Sequence, residues 1–152
     1  MAESITVDLL PAQSSDAERL AELRAEALFD SLNQLGRYSE QGVRERFYRS
    51  FDPQFTKIIE VNGEFAGCVA LKPKEDGYVL EHFYLQQSMR GSGVGAEVLQ
   101  RLLHELTSKS PGSVVRLNVL QKSPAKRLYE RFGFEVESED EIDVFMKWQH
   151  SM

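Results

Sequence analysis

The fold of this chain is decided by the stretch Arg90-Gly91-Ser92-Gly93-Val94-Gly95-Ala96. It follows a strand-like apolar run over residues 78–86 and continues directly into an amphipathic helix. Glycines at alternate positions just before a helix leave a row of backbone N–H groups unshielded, and the helix dipole adds positive charge at the same place. The stretch therefore predicts a loop that binds phosphate or pyrophosphate, and hence a phosphate-bearing cofactor.

Hydrophobic periodicity and turn residues predict the elements on either side of this loop. Along the chain they are strand 5–10, a helix from the capping-box pattern at 15–18 to Gly36, helix 40–50, strands 55–61, 64–71 and 78–86, the helix after the loop, strand 114–120, a helix from Ser123-Pro124 to Gly133, and strands 134–136 and 142–148. Asn62-Gly63 between two strand-like runs predicts a tight hairpin. The strand–helix–strand unit from Tyr78 to Leu120 predicts a parallel crossover. The order therefore predicts a mixed sheet covered by helices.

Length and composition fit one domain over residues 1–152 and argue against several classes of protein. The formal net charge of −6 and the pI of about 5.1 disfavour a nucleic-acid-binding protein, which usually presents a basic face. No apolar run reaches the roughly 18 residues that a membrane span needs, and the N-terminus lacks the pattern of a signal peptide, so we expect a cytoplasmic protein that binds no membrane. Cys68 is the single cysteine, which excludes an intrachain disulfide and disfavours a metal site. We expect Cys68 to be a small buried side chain.

The glycine loop has more than one interpretation. It can be a turn without a ligand, although alternating glycines cost chain entropy that a simple turn does not require. The spacing Gly91-x-Gly93-x-x-Ala96 also fits a loose dinucleotide-binding fingerprint. However, the loop lies in the middle of the chain, and residues 114–121 contain no carboxylate that would hold a ribose. A further interpretation comes from a resemblance.

Two blocks of the chain resemble the GNAT superfamily of N-acetyltransferases. Arg90-x-x-Gly93-x-Gly95 is similar to the family signature Q/R-x-x-G-x-G/A, and residues 117–134 resemble the family's strand followed by the helix A-x-x-L-Y-x-x-x-G-F. The resemblance implies an α+β fold with three layers, α/β/α, around one mixed, mostly antiparallel sheet. It also implies direct transfer of an acetyl group from acetyl-CoA to a primary amine of a small molecule or a protein, without a metal.

The same resemblance assigns residues to the cofactor. In the family, the strand before the loop diverges from the strand that follows the crossover helix, and the pantetheine arm of coenzyme A lies in the gap between them. In this chain the arm would pair with the backbone of Phe83, Tyr84 and Leu85. The pyrophosphate would be held by the backbone of Gly91, Ser92, Gly93, Val94, Gly95 and Ala96. Arg90 would either add charge near the phosphates or pack against the protein or face water. The chain departs from the family at Lys122, where relatives usually carry an asparagine that contacts the arm. Lys122 would either reach the cofactor or face solvent.

The catalytic candidates are Tyr129 and Glu81. By resemblance, Tyr129 would protonate the departing thiolate of coenzyme A, although its place on an apolar helix face equally suits a core residue. Glu81, a carboxylate within an apolar strand, would accept the proton of the amine, contact the substrate or form a structural ion pair. Many relatives place this acid two residues earlier, where this chain has Val79. His82 is expected on the opposite face of the strand, and a backbone N–H near Leu85 would stabilise the charge on the acetyl oxygen.

The acceptor is left open by the sequence. Arg37, Arg44, Arg46 and Arg49 can bind a carboxylate or phosphate, or they can form a solvated helix face. The acidic turn at 135–143 can attract a cationic amine, or it can be a plain hairpin tip. A non-catalytic acyl-CoA-binding or sensor module on the same fold stays open as an alternative, as does an interaction domain without a ligand. Residues 64–68 and the final strand can pair with a second copy in a homodimer.

Overall fold

The predicted order of strands and helices is confirmed by the computed structural model, which describes residues 5–75 and 77–150. Residues 1–4, which carry part of the argument about a signal peptide, lie outside the described residues, as do residues 76, 151 and 152. The elements are β1 (Val7–Pro11), α1 (Ala17–Gln34), α2 (Glu40–Ser50), β2 (Thr56–Val61), β3 (Glu64–Lys74), β4 (Gly77–Leu85), α3 (Val94–Lys109), β5 (Val114–Leu120), α4 (Ala125–Arg131), β6 (Glu135–Glu139) and β7 (Asp143–Gln149).

The strands form one mixed sheet in the order β1-β2-β3-β4-β5-β7-β6. Only β4 and β5 pair in parallel, and the other neighbours are antiparallel, as the sequence predicts. The suggestion that residues 64–68 and the final strand pair with a second copy is wrong. Both segments lie in strands with a neighbour on each side, so their backbone hydrogen-bonding edges are already occupied within the sheet.

Helices cover both faces of the sheet. On one face, α3 and α4 bury side chains such as Leu99 and Tyr129 against the sheet in a large apolar cluster. On the other face, α1 and α2 bury Leu20 and Phe47 against the sheet in a smaller cluster that includes Cys68. The molecule therefore has the three-layer α/β/α architecture that the resemblance implies.

The strands β4 and β5 part after a short paired segment. The two strands pair with each other over three residues, Gly77–Val79 in β4 and Val114–Arg116 in β5. Beyond these residues β4 and β5 do not pair with each other. Gly77 is needed at the paired end, because a Cβ there would come within 2.1 Å of the Val114 carbonyl oxygen. Beyond Val79 the sheet opens into a cleft.

Local sequence explains most element boundaries. Helix α2 begins after Ser39, whose Oγ accepts a hydrogen bond from the Gly42 N–H at 3.0 Å. The hairpin turn at Asn62-Gly63 has φ values of 52° and 83°, which suit an Asn-Gly turn. The expected capping box at Ser15–Glu18 is wrong. Instead the Asp16 carboxylate accepts from the Gln13 N–H at 2.8 Å, and a short 3-10 turn precedes α1.

The described residues contain neither a helix suited to cross a membrane nor a cluster suited to bind a metal ion. None of their helices combines the length and the apolar character that crossing a membrane requires. Within the same ranges, no group of three or more His, Cys, Asp or Glu side chains is arranged to hold a metal ion.

Candidate active site

The candidate site is a cleft of about 1190 Å³ that begins where β4 and β5 separate. Its walls are the free ends of these two strands, the glycine loop, the start of α4, and the facing sides of α1 and α2. Because the two strands do not pair here, the backbone of β4 is exposed along the cleft. This divergence is the feature that the resemblance implied for the arm of the cofactor.

The glycine loop presents free backbone donors to the cleft. Helix α3 begins at Val94, and the first hydrogen bond into it runs from the Glu97 N–H to the Gly93 carbonyl oxygen at 3.0 Å. Among the described residues, no hydrogen bond of ordinary geometry uses the N–H groups of residues 91–96. The partial positive charge of the helix N-terminus is thus directed at open space, which is the arrangement that binds a phosphate group.

The glycines of the loop have different structural roles. Gly91 and Gly93 have φ values of +76° and +88°, and a Cβ built on either would point into open space. They are therefore needed for the left-handed backbone, and they leave room for a ligand to approach it. Gly95 lies in the first turn of α3, where an added Cβ would come within 3.4 Å of Leu128 Cδ2 and 3.6 Å of Leu85 Cδ1. These are ordinary van der Waals distances, so neither the backbone nor the packing requires a glycine at position 95.

Of the other residues predicted to bind the cofactor, some line the cleft and some do not. Phe83, Tyr84, Leu85 and Arg90 line the cleft, but Ser92 and Val94 do not. Val94 is buried in the core, so only its backbone can serve a ligand at the loop. Lys122 is exposed, has a φ of +69°, and lies outside the cleft lining.

Tyr129 reaches the cleft from α4. It is only 6% exposed and packs edge-to-face against Phe134, with ring centroids 5.5 Å apart. Burial raises the pKa of Tyr129 well above its ordinary value of 10, so the hydroxyl is protonated at neutral pH. Within residues 5–75 and 77–150 the hydroxyl has no hydrogen-bond partner. Tyr129 is therefore both a core residue and a proton donor available to the cleft.

A bulge in β4 places Glu81 and His82 on the same side of the sheet. Tyr84 pairs with Cys68 and Glu81 pairs with Ala70, so His82 and Phe83 together oppose Val69. His82 has a φ of +49°, in the left-handed region. The expectation that His82 faces away from Glu81 is therefore wrong, because the extra residue interrupts the alternation of side chains along the strand.

Glu81 and His82 belong to one hydrogen-bonded network at the cleft. Glu81 Oε1 lies 3.1 Å from Lys72 Nζ, and Glu81 Oε2 lies 3.5 Å from His82 Nε2. On the other side of the imidazole, His82 Nδ1 lies 3.2 Å from the Tyr84 hydroxyl, which accepts from Arg24 Nε at 3.1 Å. Burial raises the pKa of Tyr84 to about 12, so Tyr84 is protonated at neutral pH. Since Tyr84 accepts from Arg24, its proton is free to be donated to His82 Nδ1.

His82 is a neutral imidazole in this network. Its side chain is 8% exposed, and burial lowers its pKa to about 3, with Arg24 and Lys72 adding repulsion. With Nδ1 accepting from Tyr84, Nε2 carries the proton and lies 2.6 Å from Ser50 Oγ. Ser50 in turn donates to the Arg46 carbonyl oxygen at 3.1 Å. The result is a directed chain of donors and acceptors from α1 across β4 to the end of α2.

Sequence reasoning missed three members of this network: Arg24, Ser50 and Lys72. Arg24 and Ser50 lie on helices far along the chain from β4, so no local pattern connects them with it. Lys72 falls just after the strand predicted over 64–71, but β3 continues to Lys74. Cys68 is fully buried as expected, and its thiol donates to the His82 carbonyl oxygen at 3.1 Å.

The four arginines predicted as candidates to bind the acceptor do not all lie at the cleft. Arg37, Arg46 and Arg49 line the cleft. Arg44 does not, because its Nε and Nη2 each lie 2.8 Å from a carboxylate oxygen of Glu22 on the outer side of α1. Arg44 is therefore a structural residue, and its place in a cluster of acceptor-binding arginines is wrong.

Comparisons with known proteins agree with this geometry. A family model described as an acetyltransferase (GNAT) domain matches residues 25–150. No curated protein is similar enough in sequence to count as a match. Many solved structures match the fold.

Three of these structures show the extent of the likeness. The PaiA N-acetyltransferase from Thermoplasma acidophilum, solved with coenzyme A, has a TM-score of 0.76 at 19% identity, over 97% of this chain and 100% of that one. The ribosomal-protein-S18-alanine N-acetyltransferase from Escherichia coli has a TM-score of 0.71 at 18% identity, over 98% and 96%. The N-acetylglutamate synthase from Neisseria gonorrhoeae, solved with coenzyme A and N-acetyl-glutamate, has a TM-score of 0.67 at 16% identity, over 99% and 37%.

Proposed function

The chain belongs to the GNAT family of acetyltransferases, and we propose that it transfers the acetyl group of acetyl-CoA directly to a primary amine of a small-molecule or protein acceptor. The observation that carries this proposal is the cleft between β4 and β5, which ends at a helix N-terminus with free backbone N–H groups. When bound, acetyl-CoA supplies the acetyl group as an activated thioester.

The residues around the glycine loop fit this co-substrate. Gly91 and Gly93 leave space where a pyrophosphate can approach the backbone, and the N–H groups of residues 91–96 are free to donate to it. The edge of β4 over Phe83–Leu85 offers backbone groups to an extended arm, as a sheet edge does to an added strand. Arg90 lies between the two segments, with Nε 3.4 Å from the Leu85 carbonyl oxygen.

Tyr129 is the proposed proton donor. Its burial keeps the hydroxyl protonated, and the hydroxyl is free of other partners among the described residues. These properties suit a group that protonates a departing thiolate. A backbone N–H near Leu85 is the proposed donor to the acetyl oxygen, where negative charge develops.

Glu81 is the proposed acceptor of the proton of the amine. Its carboxylate lines the cleft, is 26% exposed, and is positioned by Lys72 on one oxygen and His82 on the other. Since an amine must be neutral to attack, a carboxylate at the cleft can take its proton directly or through a water molecule.

The alternative is a non-catalytic acyl-CoA-binding module. The observation that favours it is the ion pair between Glu81 and Lys72, which gives the carboxylate a purely structural role to fill. Both functions predict that coenzyme A binds, but only the enzyme releases free thiol when an amine is added.

Two measurements distinguish these functions. Coenzyme A at about 100 times its dissociation constant should stabilise the fold by about 2.7 kcal/mol in thermal unfolding. Acetyl-CoA should then be consumed, with release of free thiol, when the protein meets a panel of amines, amino acids, aminoglycosides and peptides. Binding without amine-dependent thiol release would support the non-catalytic module, and no stabilisation at millimolar coenzyme A would contradict both functions.

A further inference from the structure

The acceptor side of the cleft carries an unbalanced set of arginines. Arg37, Arg46 and Arg49 line the cleft and are exposed. Among the described residues none of the three guanidinium groups forms an ion pair or hydrogen bond. Their guanidinium groups are therefore available to a ligand in the cleft. Four other arginines of the chain do pair with carboxylates, namely Arg19, Arg44, Arg101 and Arg116.

The network around His82 places these arginines close to the proposed reaction site. Arg49 lies in the last turn of α2 and Arg46 three residues before it, and the two side chains therefore project from one face of the helix. Ser50, in the same turn, contacts His82, and His82 contacts Glu81. Glu81 is thus connected through His82 to the end of α2, which carries Arg46 and Arg49 into the lining of the same cleft.

The acidic turn does not compete for this role. Glu137 pairs with Arg116, and the Asp143 carboxylate accepts from Asn118 Nδ2 at 2.9 Å. The Asp140 carboxylate accepts from the N–H groups of Ile142 and Asp143 at 2.8 and 2.7 Å. Of the acidic residues at 135–143, Asp143 alone is part of the cleft lining, so the three arginines outnumber the carboxylates of this turn at the cleft.

We infer that the acceptor is an amine that also carries an anionic group, a carboxylate or a phosphate, and that Arg46 and Arg49, with Arg37, bind this group. The inference rests on the proposed function and adds the chemical class of the acceptor. Guanidinium groups form paired, charge-assisted hydrogen bonds with carboxylates and phosphates, and they repel an acceptor that is cationic at both ends. The amine end is then held towards Glu81.

Calorimetric titration of the full chain, saturated with coenzyme A, tests the inference. The probes are O-phosphoethanolamine and L-glutamate as anionic amines, ethanolamine as the partner that lacks the phosphate, and putrescine as a cationic amine. We expect at least one anionic probe to bind about tenfold or more tightly than ethanolamine and putrescine, with an affinity that falls as salt is added. Comparison of the two anionic probes distinguishes a carboxylate from a phosphate.

Variants assign the binding to the arginines. The double variant Arg46→Gln, Arg49→Gln should lose about tenfold or more in affinity for the anionic probe. The matched control Arg44→Gln removes an arginine from the same helix and should leave that affinity unchanged, because Arg44 pairs with Glu22 outside the cleft. In turnover assays the double variant should raise KM for the anionic amine.

The inference would be overturned if no anionic probe binds, if ethanolamine or putrescine binds as tightly, or if the double variant binds as the unchanged protein does. The proposed function fails in a different way. If anionic amines bind but no amine releases thiol from acetyl-CoA, the transfer reaction is refuted. If thiol is released only with amines that lack an anionic group, the transfer reaction stands and this inference is wrong.

Discussion

Tyr129 shows how one side chain can serve both packing and chemistry. Its ring lies in the main apolar cluster beside Phe134, while its hydroxyl borders the cleft. The burial that makes it a core residue also raises its pKa, which keeps the proton on the oxygen. The two interpretations left open by the sequence are therefore compatible.

Replacing Tyr129 with Phe removes the hydroxyl and keeps the ring. We expect kcat to fall about 100-fold or more, the scale of a lost general acid, while the dissociation constant for coenzyme A changes little. The free energy of unfolding should also change little, because the hydroxyl makes no hydrogen bond with the described residues. Steady-state kinetics with calorimetric coenzyme A binding measures both effects. The same change at Tyr48, which is exposed and outside the cleft, is the control, and an unaltered kcat in Tyr129→Phe would remove the assignment.

The catalytic and the structural role of Glu81 can be distinguished by substituting either partner of the Glu81–Lys72 ion pair. Glu81→Gln keeps the shape but cannot accept a proton, so kcat should fall about 100-fold or more, and the loss should diminish at high pH, where the free amine is abundant. Lys72→Met breaks the same ion pair and leaves the carboxylate. We expect Lys72→Met to retain most of kcat, as measured across a pH profile. Equal losses in both variants would mean that only the ion pair matters.

At the scale of elements, the glycine loop and α3 together form the proposed anion site. The loop was predictable because its signal is local: alternate glycines impose the left-handed φ values, and the amphipathic pattern after them fixes the start of the helix. The sequence does not show which glycines have a left-handed backbone. The structure assigns that conformation to Gly91 and Gly93, whereas Gly95 lies in the first turn of α3, where an added Cβ would make ordinary contacts with Leu128 and Leu85.

Gly93→Ala tests the loop as an anion site. A left-handed φ of +88° should cost an alanine about 1–2 kcal/mol in the free energy of unfolding. The added methyl group would also occupy the space above the backbone N–H groups, so affinity for coenzyme A should fall about tenfold or more. Gly63→Ala is a matched control, since Gly63 has a φ of +83° with open space around it in a distant hairpin turn. Thermal unfolding should report a similar loss in both variants, whereas calorimetry should report weakened coenzyme A binding only in Gly93→Ala. Equal binding by the two variants would contradict the site.

The bulge in β4 was beyond the reach of the sequence. Residues 78–86 are an apolar run interrupted by Glu81 and His82, and nothing in it marks His82 for a φ of +49°. The bulge follows from the register between β3 and β4, which depends on strands paired on both sides. It is stabilised across the sheet, because the Cys68 thiol donates to the His82 carbonyl oxygen. The sequence therefore placed Glu81 in the correct strand but did not predict its neighbours Lys72 and His82.

At the scale of the whole molecule, the cleft exists because two clusters pack on opposite faces of a sheet that parts between β4 and β5. The architecture was predictable from the order of elements, since hairpins and a crossover permit few arrangements. The contacts that close the acceptor side of the cleft were not predictable from the sequence. They join α1 and α2 to β4 through Arg24 and Ser50, which lie far from β4 along the chain. When the chain folds, His82 is thus buried in its neutral form.

The burial of neutral His82 predicts how stability depends on pH. Burial lowers the pKa of His82 to about 3 in the folded chain, against an ordinary value of 6.5, so below pH 6.5 the unfolded chain binds a proton that the folded chain does not. The free energy of unfolding should therefore fall as the pH drops from 6.5 towards 3, by up to about 1.4 kcal/mol per pH unit from this residue. Between pH 7.5 and 5, above the range where most carboxylates titrate, the loss should be about 2 kcal/mol.

Denaturant unfolding of His82→Asn measures this contribution. Asparagine tolerates a left-handed φ and does not titrate, so the variant should lose most of the pH dependence between pH 7.5 and 5, even if it is less stable overall. His104→Asn, on the exposed side of α3, is the control and should keep the slope of the unchanged protein. A slope in His82→Asn equal to that of the control would mean that His82 is not held neutral by the fold. The network from Arg24 to Arg46 would then lack the proton arrangement on which the position of Glu81 depends.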